Sequence, residues 1–233
     1  MNILIAGASR GLGCSLAEVA LKEGHTVVAG VRNRNRISEQ LKELNENYGT
    51  RLQLIQLDVS DEDSVEQAAK HVAEHFLSLD IILNNAAILL GRERKIEDVD
   101  FQELEQSLDT NLLGPMRVVK HFLPLLRQGS KSFIANISSE AGAVSKEHDN
   151  DYPYGLSKAA LNKFTMQLHH YLLSDGIGVC SIHPGWMHTD MGGNQAPLNP
   201  AISAKGILDI MTGKTTVNSP YQFVNYEGKP MNI

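Results

Sequence analysis

The chain predicts an α/β fold: a doubly wound parallel sheet of about seven strands with helices on both faces. Three observations lead there. Short apolar runs alternate with longer amphipathic stretches along the whole chain. The run Gly7-Ala8-Ser9-Arg10-Gly11-Leu12-Gly13 stands between the first apolar run and the first amphipathic stretch, giving strand, glycine turn and helix. The length of 233 residues with 42% apolar content is enough for a sizeable core, and open α/β folds of this size are common as single units, so one domain is expected over residues 1–233.

The elements follow in order. Asn2–Ala6 is apolar and reads as the first strand; Leu12–Glu23 has helical spacing of apolar positions and closes at Gly24. Further strands are expected at Thr26–Val31, Leu52–Leu57, Ile81–Asn84, Ser132–Ile137, Val179–Ile182 and Gln222–Val224. Amphipathic helices are expected at Arg36–Asn47, Glu62–Phe76, Phe101–Leu126, Pro153–Leu173 and Ala201–Met211. The polar stretch Ser145–Asp151 and the loop Gly192–Pro200 read as mobile connections. No internal segment has linker composition, and no repeat recurs at solenoid spacing.

Two constellations carry chemistry. Tyr154 and Lys158 are four apart in a predicted helix, which puts a phenol and an amine on one face. A free phenol titrates near ~10, and a neighbouring positive charge draws that value down, so the pair suits proton transfer to or from an alcohol or carbonyl oxygen. The glycine turn, spaced G-x-x-x-G-x-G, lets the backbone approach a dinucleotide pyrophosphate closely while the helix start offers free N–H groups. The end of the second predicted strand, Val27-Val28-Ala29-Gly30-Val31-Arg32-Asn33, has no carboxylate to receive a ribose 2′-hydroxyl. Arg32, helped by Arg10, can pair instead with a 2′-phosphate, which points to NADP(H).

With these motifs in place the chain resembles the short-chain dehydrogenase/reductase family over essentially its whole length. Gly7, Gly11 and Gly13 match its cofactor turn, and Leu57-Asp58-Val59 the segment whose Asp lies near the adenine. Asn84-Asn85-Ala86-Ala87 matches its Asn-Asn-Ala-Gly element, and Asn111 its catalytic Asn. Asn136-Ile137-Ser138-Ser139 matches the strand end with the catalytic Ser, for which the family uses the second serine, here Ser139. Tyr154 and Lys158 match Tyr-x-x-x-Lys, and Pro184-Gly185 with Thr189 the loop over the nicotinamide.

The stretch from His183 to Gly193 and the ending Phe223–Gly228 look like the C-factor-like and carbonyl-reductase-like branch. The resemblance implies a Rossmann-type domain acting as an NADP(H)-dependent carbonyl reductase or alcohol dehydrogenase on a small carbonyl or alcohol substrate. It implies catalysis by Asn111, Ser139, Tyr154 and Lys158. The implied cofactor contacts are Gly7, Ser9, Arg10, Gly11, Leu12, Gly13, Arg32, Asp58, Val59, Asn85, Ala86, Tyr154, Lys158, Pro184, Gly185, Met187 and Thr189. In that scheme Tyr154 exchanges the proton, Ser139 polarises the carbonyl, Lys158 holds the ribose and lowers the phenol pKa, and Asn111 supports a water chain. Association as a homodimer or homotetramer through the long helices is also implied. The chain departs from the family at Ala6, often Thr, at Ala87, often Gly, and by the extra residues Lys146–Asp151. A nucleotide-binding signalling or structural protein with vestigial catalysis is the alternative.

Composition removes other classes. A net charge of -6 provides no basic stripe for nucleic acid and no membrane anchor. The two cysteines, Cys14 and Cys180, do not suggest a disulfide framework; with no apolar run of membrane-spanning length and no leader, a cytoplasmic setting is expected. Gly213-Lys214-Thr215 resembles the end of a P-loop, but Leu208 occupies the place of its first glycine. Asn136-Ile137-Ser138 is a glycosylation pattern on a predicted core strand, and Tyr152 lacks a lysine four residues on. His169 and His170 point to different helix faces, and His183, His188 and Asp190 lie in a loop, so no metal is expected.

Overall fold

The computed structural model of the chain describes residues 1–146 and 149–233. Its seven strands are β1 (Asn2–Ala6), β2 (Thr26–Val31), β3 (Leu52–Gln56), β4 (Ile81–Asn84), β5 (Phe133–Ile137), β6 (Gly178–His183) and β7 (Phe223–Asn225). They form one sheet in the order β3-β2-β1-β4-β5-β6-β7, each neighbouring pair parallel. Side chains alternate across a strand, so β1 sends Ile3 and Ile5 to one face and Leu4 and Ala6 to the other. The first face is covered by α1 (Gly11–Lys22), α2 (Glu39–Tyr48) and α7 (Pro200–Met211), through Leu16, Leu41 and Ile207. The second is covered by α3 (Glu62–His75), α5 (Gly114–Leu126) and α6 (Tyr152–Leu172), through Val72, Phe122 and Leu168. This is the Rossmann arrangement. Among the described residues no helix is long and apolar enough to cross a membrane.

The expected strands are present, with ends shifted by a residue at most. Two helices differ. The stretch expected to be helical from Arg36 starts at Glu39, because Ser38 Oγ accepts from the Leu41 N–H at 3.2 Å and caps the first turn. The rod expected over Phe101–Leu126 is broken: α4 (Phe101–Leu108) passes through a π-helical turn, Asp109–Leu113, before α5. The wider turn holds Asn111, whose amide makes two hydrogen bonds with the Ile88 backbone, each 2.9 Å. A single residue's side chain has thus displaced the regular helical ladder. Of the polar stretch Ser145–Asp151, Glu147 and His148 lie outside the described residues.

α6 is seated on the sheet by buried polar contacts. Asn84 Nδ2 donates to Asn136 Oδ1, Asn136 Nδ2 to Thr165 Oγ1, and Ser181 Oγ to the same Thr165 oxygen, each at 2.8 Å. Thr165 in turn donates to the Leu161 carbonyl at 2.8 Å. The chain of bonds ties β4, β5 and β6 to one helix, and Asn136, Thr165 and Ser181 are all buried. Replacing Thr165 by Val would strand the Asn136 amide and the Ser181 hydroxyl, a cost of about 1–3 kcal/mol for an unsatisfied buried group. Thermal unfolding should show Thr165→Val melting several degrees below wild type and Thr165→Ser between them; Thr165→Val melting with wild type would refute the role assigned to the network.

Candidate active site

Strand order reverses between β1 and β4, and a cleft opens beyond their C-terminal ends, as it does in open α/β sheets. One wall is the turn between β1 and α1. Gly7 has φ +86°, and a Cβ there would lie 2.7 Å from the Ala86 Cα. A Cβ on Gly13 would lie 2.1 Å from the Gly7 oxygen. The turn is held by Asn85 Nδ2, which donates to the Gly7 carbonyl at 2.7 Å. No side chain caps α1 at Arg10, so its first N–H groups are left for an external acceptor.

Most of the expected cofactor residues border this cleft: Gly7, Ser9, Arg10, Gly11 and Leu12 from the turn, Arg32 after β2, Asp58 and Val59 after β3, Asn85 and Ala86 after β4. Tyr154 and Lys158 border it from α6, and Pro184, Met187 and Thr189 from the loop after β6. Gly13 sits beneath the turn, and Gly185 packs against Leu198 and Tyr226 with φ +82°, so both shape the cleft without bordering it. Asp58 receives the Ser60 N–H and hydroxyl at 3.0 and 2.7 Å. Ile88, Ser60, Thr110 and Asp190, which the sequence does not assign to cofactor or substrate, also border the cleft, as does Met191. Ile88, Ser60 and Asp190 lie in connections without periodic pattern and Thr110 in the π-helical turn, and each adjoins a motif residue, Ala87, Val59, Thr189 or Asn111.

Lys158 is the most confined charge. It is 2% exposed, its Nζ donates to the Ile137 carbonyl at 2.7 Å, and it lies 5.6 Å from the centre of the Tyr154 ring. Burial without a counter-charge draws its pKa down to about 7. Burial also raises the pKa of Tyr154; the Ser139 hydroxyl and the Arg92 charge pull it back, and Asp151 adds to the rise. The expected lowering of the phenol by Lys158 is therefore not what this arrangement provides. The amine is itself starved of solvent and is turned to a backbone carbonyl.

Ser139 follows β5, and its Oγ accepts from the Ala141 N–H at 3.2 Å while lying close enough to the phenol to lower its pKa. Ser138 borders the cleft where the expected Ser139 does not, and it is buried with no partner for its hydroxyl among the described residues. Asn111 is fully occupied: besides Ile88 it donates to Ser157 Oγ at 3.0 Å, and Ser157 donates to the Tyr154 carbonyl at 2.7 Å. It thus links the π-helical turn to the helix bearing Tyr154.

The second arginine expected at the cofactor, Arg10, is paired with Asp190 at 3.0 Å, both side chains about three-quarters exposed. That contact crosses from the glycine turn to the loop after β6. The same loop, expected to be mobile over Gly192–Pro200, is tied by His188 N–H to the Leu198 carbonyl at 2.9 Å and by Trp186 Nε1 to the Gly192 carbonyl at 2.8 Å. Cys14 and Cys180 are buried free thiols in α1 and β6. One metal-type cluster occurs among the described residues, exposed His71, Glu74 and His75 on α3. It lies where α3 runs toward the N-terminal start of β4, the end of the sheet opposite the cleft.

Fold and cleft define a class of protein. The family model described as short chain dehydrogenase matches residues 1–199, and the chain belongs to the short-chain dehydrogenase/reductase family, whose members use NAD(P)H. Its particular relatives include C-signal of Myxococcus xanthus, 35% identical over 151 residues that span 64% of this chain and 90% of that protein. The structure of the carbonyl reductase Sniffer of D. melanogaster matches with a TM-score of 0.90 at 30% identity, covering 100% of this chain and 99% of that one. An NADPH-bound carbonyl reductase from chicken fatty liver matches at 0.86 and 28% identity, covering 100% and 98%.

The lysine supplies a pH test. In the unfolded chain its amine stays protonated up to about 10.4, whereas in the fold it releases its proton near about 7. Between those values the unfolded state binds more protons, so this group makes stability climb with pH and lose that gain as pH falls toward 7. Urea midpoints at pH 6 to 10 should rise for wild type, and Lys158→Met should be the more stable protein at pH 6 with a flatter profile. Parallel profiles would show that the amine is not desolvated.

Proposed function

We propose that the chain is an NADP(H)-dependent carbonyl reductase that also runs as an alcohol dehydrogenase. The observation that carries the reading is that Tyr154, with Ser139 beside its phenol, and Lys158 stand at one end of the cleft whose other end is the uncapped start of α1. The residues fit a dinucleotide. The glycine turn has no room for a Cβ at Gly7 or Gly13, and the α1 N–H groups lack a cap. The Lys158 ammonium has three donors, of which the structure uses one. Gly11, Leu12 and Gly13 would receive the pyrophosphate, Lys158 the ribose hydroxyls, and Arg32 a 2′-phosphate. Arg10 would join Arg32, since an exposed ion pair such as that with Asp190 contributes only ~0–1 kcal/mol.

Bound NADPH supplies a hydride from the nicotinamide C4. The protein's part is to fix the carbonyl and deliver a proton. Ser139 donates to the carbonyl oxygen, polarising it. Tyr154 hands its phenolic proton to the same oxygen as the alcohol forms, and takes it back in the reverse direction. The raised phenol pKa keeps Tyr154 protonated and suits it to the donor role before ligands arrive. Cationic Lys158 would then stabilise the phenolate left after transfer. Asn111, through Ser157, holds the Tyr154 turn in place, and a water on the Ile88 carbonyl would refill the proton.

Similarity to C-signal favours a second reading, a nucleotide-bound signalling protein. Exposed Phe101, Leu113 and Met116 on the α4–α5 segment support two-fold association there, which light scattering across concentrations would decide.

Against a panel of aldehydes, ketones and quinones, Tyr154→Phe should lower kcat ~10²–10⁴-fold while NADPH binding survives. Tight NADPH binding with no turnover on any of them would favour the signalling reading. The cofactor assignment stands separately: Arg32→Ala should reduce the NADPH-over-NADH preference in kcat/KM by roughly tenfold or more, as expected for loss of a hydrogen bond to a charged group. An unchanged preference would remove NADP(H).

A further inference from the structure

Beside the cleft, bonded to Met191 on its border, stands an exposed cation that the reductase reading above does not use. Residues 91–93 cross from β4 toward α6. Gly91, with φ +66°, has no space for a Cβ without approaching Pro153 Cγ to 3.1 Å. The Glu93 N–H donates to Asp151 Oδ1 at 2.8 Å. These contacts seat the segment on the turn that presents Tyr154. From there Arg92 reaches over to the loop after β6, and its Nη2 donates to the Met191 carbonyl at 2.8 Å. Met191 and Tyr154 border the same cleft. The Arg92 guanidinium is thereby held between the phenol's helix and the loop facing it. Its charge is felt at the Tyr154 hydroxyl, where it opposes the effect of burial.

Arg92 has donors to spare. The Met191 carbonyl occupies one nitrogen, and among the described residues the guanidinium forms no ion pair. The nearby acids are engaged elsewhere: Asp151 by the Glu93 N–H, Asp190 by Arg10 at 3.0 Å, Glu103 by Arg94 at 2.9 Å. A guanidinium offers a planar fork that fits a carboxylate with two parallel hydrogen bonds. The cleft beside it is apolar at Ile88, Met187 and Met191.

The geometry points to Arg92 as a specificity residue that takes the carboxylate of the substrate. The preferred substrates are aldehydes or ketones bearing a carboxylate, with an apolar body lying between the reacting carbonyl at Tyr154 and the acid at Arg92. Reduction converts such an oxo acid to the hydroxy acid, consuming one NADPH and one proton. The inference rests on the reductase reading for its carbonyl site. It adds the anionic group, which that reading leaves open.

The alternative use of Arg92 is a strap that only pins the loop through Met191. The two uses separate by comparing each acid with its neutral ester. The probes are 4-formylbenzoate and 4-oxobutanoate, each against its methyl ester, with NADPH and with wild type, Arg92→Lys and Arg92→Gln. Wild type should prefer the acid in kcat/KM by about tenfold or more, the scale of one hydrogen bond to a charged group. Arg92→Gln should bring the acid-to-ester ratio close to one, and Arg92→Lys should retain part of it. A wild-type preference for the esters, or equal loss on acid and ester in Arg92→Gln, overturns the assignment while leaving the reductase reading intact. If neither acid nor ester is turned over, the reductase reading fails, and binding decides the inference. The shift in melting temperature caused by 4-(hydroxymethyl)benzoate in the presence of NADP⁺ should vanish in Arg92→Gln. No shift in wild type, or an undiminished one in the variant, overturns it.

Discussion

A lysine amine shut inside the protein against one backbone carbonyl is the constraint on which the site depends. Taking an ammonium out of water costs several kcal/mol unless other groups replace the solvent. Here the replacement is incomplete: the Ile137 carbonyl takes one proton and the amine's pKa falls to about 7. The fold tolerates this because Lys158 is carried by a helix that cannot retreat. Gly142 packs so close to α6 that a Cβ would lie 2.6 Å from the Lys158 carbonyl carbon. The asparagine–threonine–serine network fixes the same helix to three strands. A proposed ribose would relieve the amine, so ligand binding and the electrostatics of Tyr154 become one problem.

The polar residues around this amine divide into two layers. Ser139 and Tyr154 face the proposed chemistry. Asn111, Ser157, Asn136 and Thr165 set the geometry from behind, through bonds of 2.7 to 3.0 Å. Asn111 shows how a positioning role can alter secondary structure. Its contacts with both polar groups of the Ile88 backbone coincide with a π-helical turn where the sequence predicts unbroken helix. The loss of regular ladder there is compensated by a rigid link between the strand-four loop and α6. Such a turn is costly in isolation and persists where side chains over-determine it.

Electrostatics at the cleft is organised by arginines reaching across it. Arg10 meets Asp190 from the glycine turn, and Arg92 meets the Met191 carbonyl from the opposite side. Two neighbouring residues of one loop are thus contacted from both walls. The contacts are exposed and individually weak, which would suit a segment that admits the proposed ligand. Arg32 is left beside the turn to define the proposed nucleotide end.

Pattern and punctuation determined much of this protein by themselves. Apolar runs located all seven strands to within a residue at their ends, because a parallel sheet buried on both faces demands continuous apolar residues. The glycine turn was legible since close backbone approach at Gly7 and Gly13 excludes any Cβ, and the spacing of Tyr154 and Lys158 follows from helical period alone. What the tertiary structure decided is environmental. The helix start at Glu39 and the break around Asn111 depend on side chains capturing backbone groups, Ser38 within its own turn and Asn111 from a distant loop. The direction of both central pKa shifts depends on burial, a property of the assembled core: a sequence shows that a lysine stands four residues from a tyrosine, but not that the amine has lost its water and that the phenol is partly shut from it. Arg92 was invisible for the same reason, since its relation to Tyr154 is made by folding two irregular loops together, and no local period encodes it.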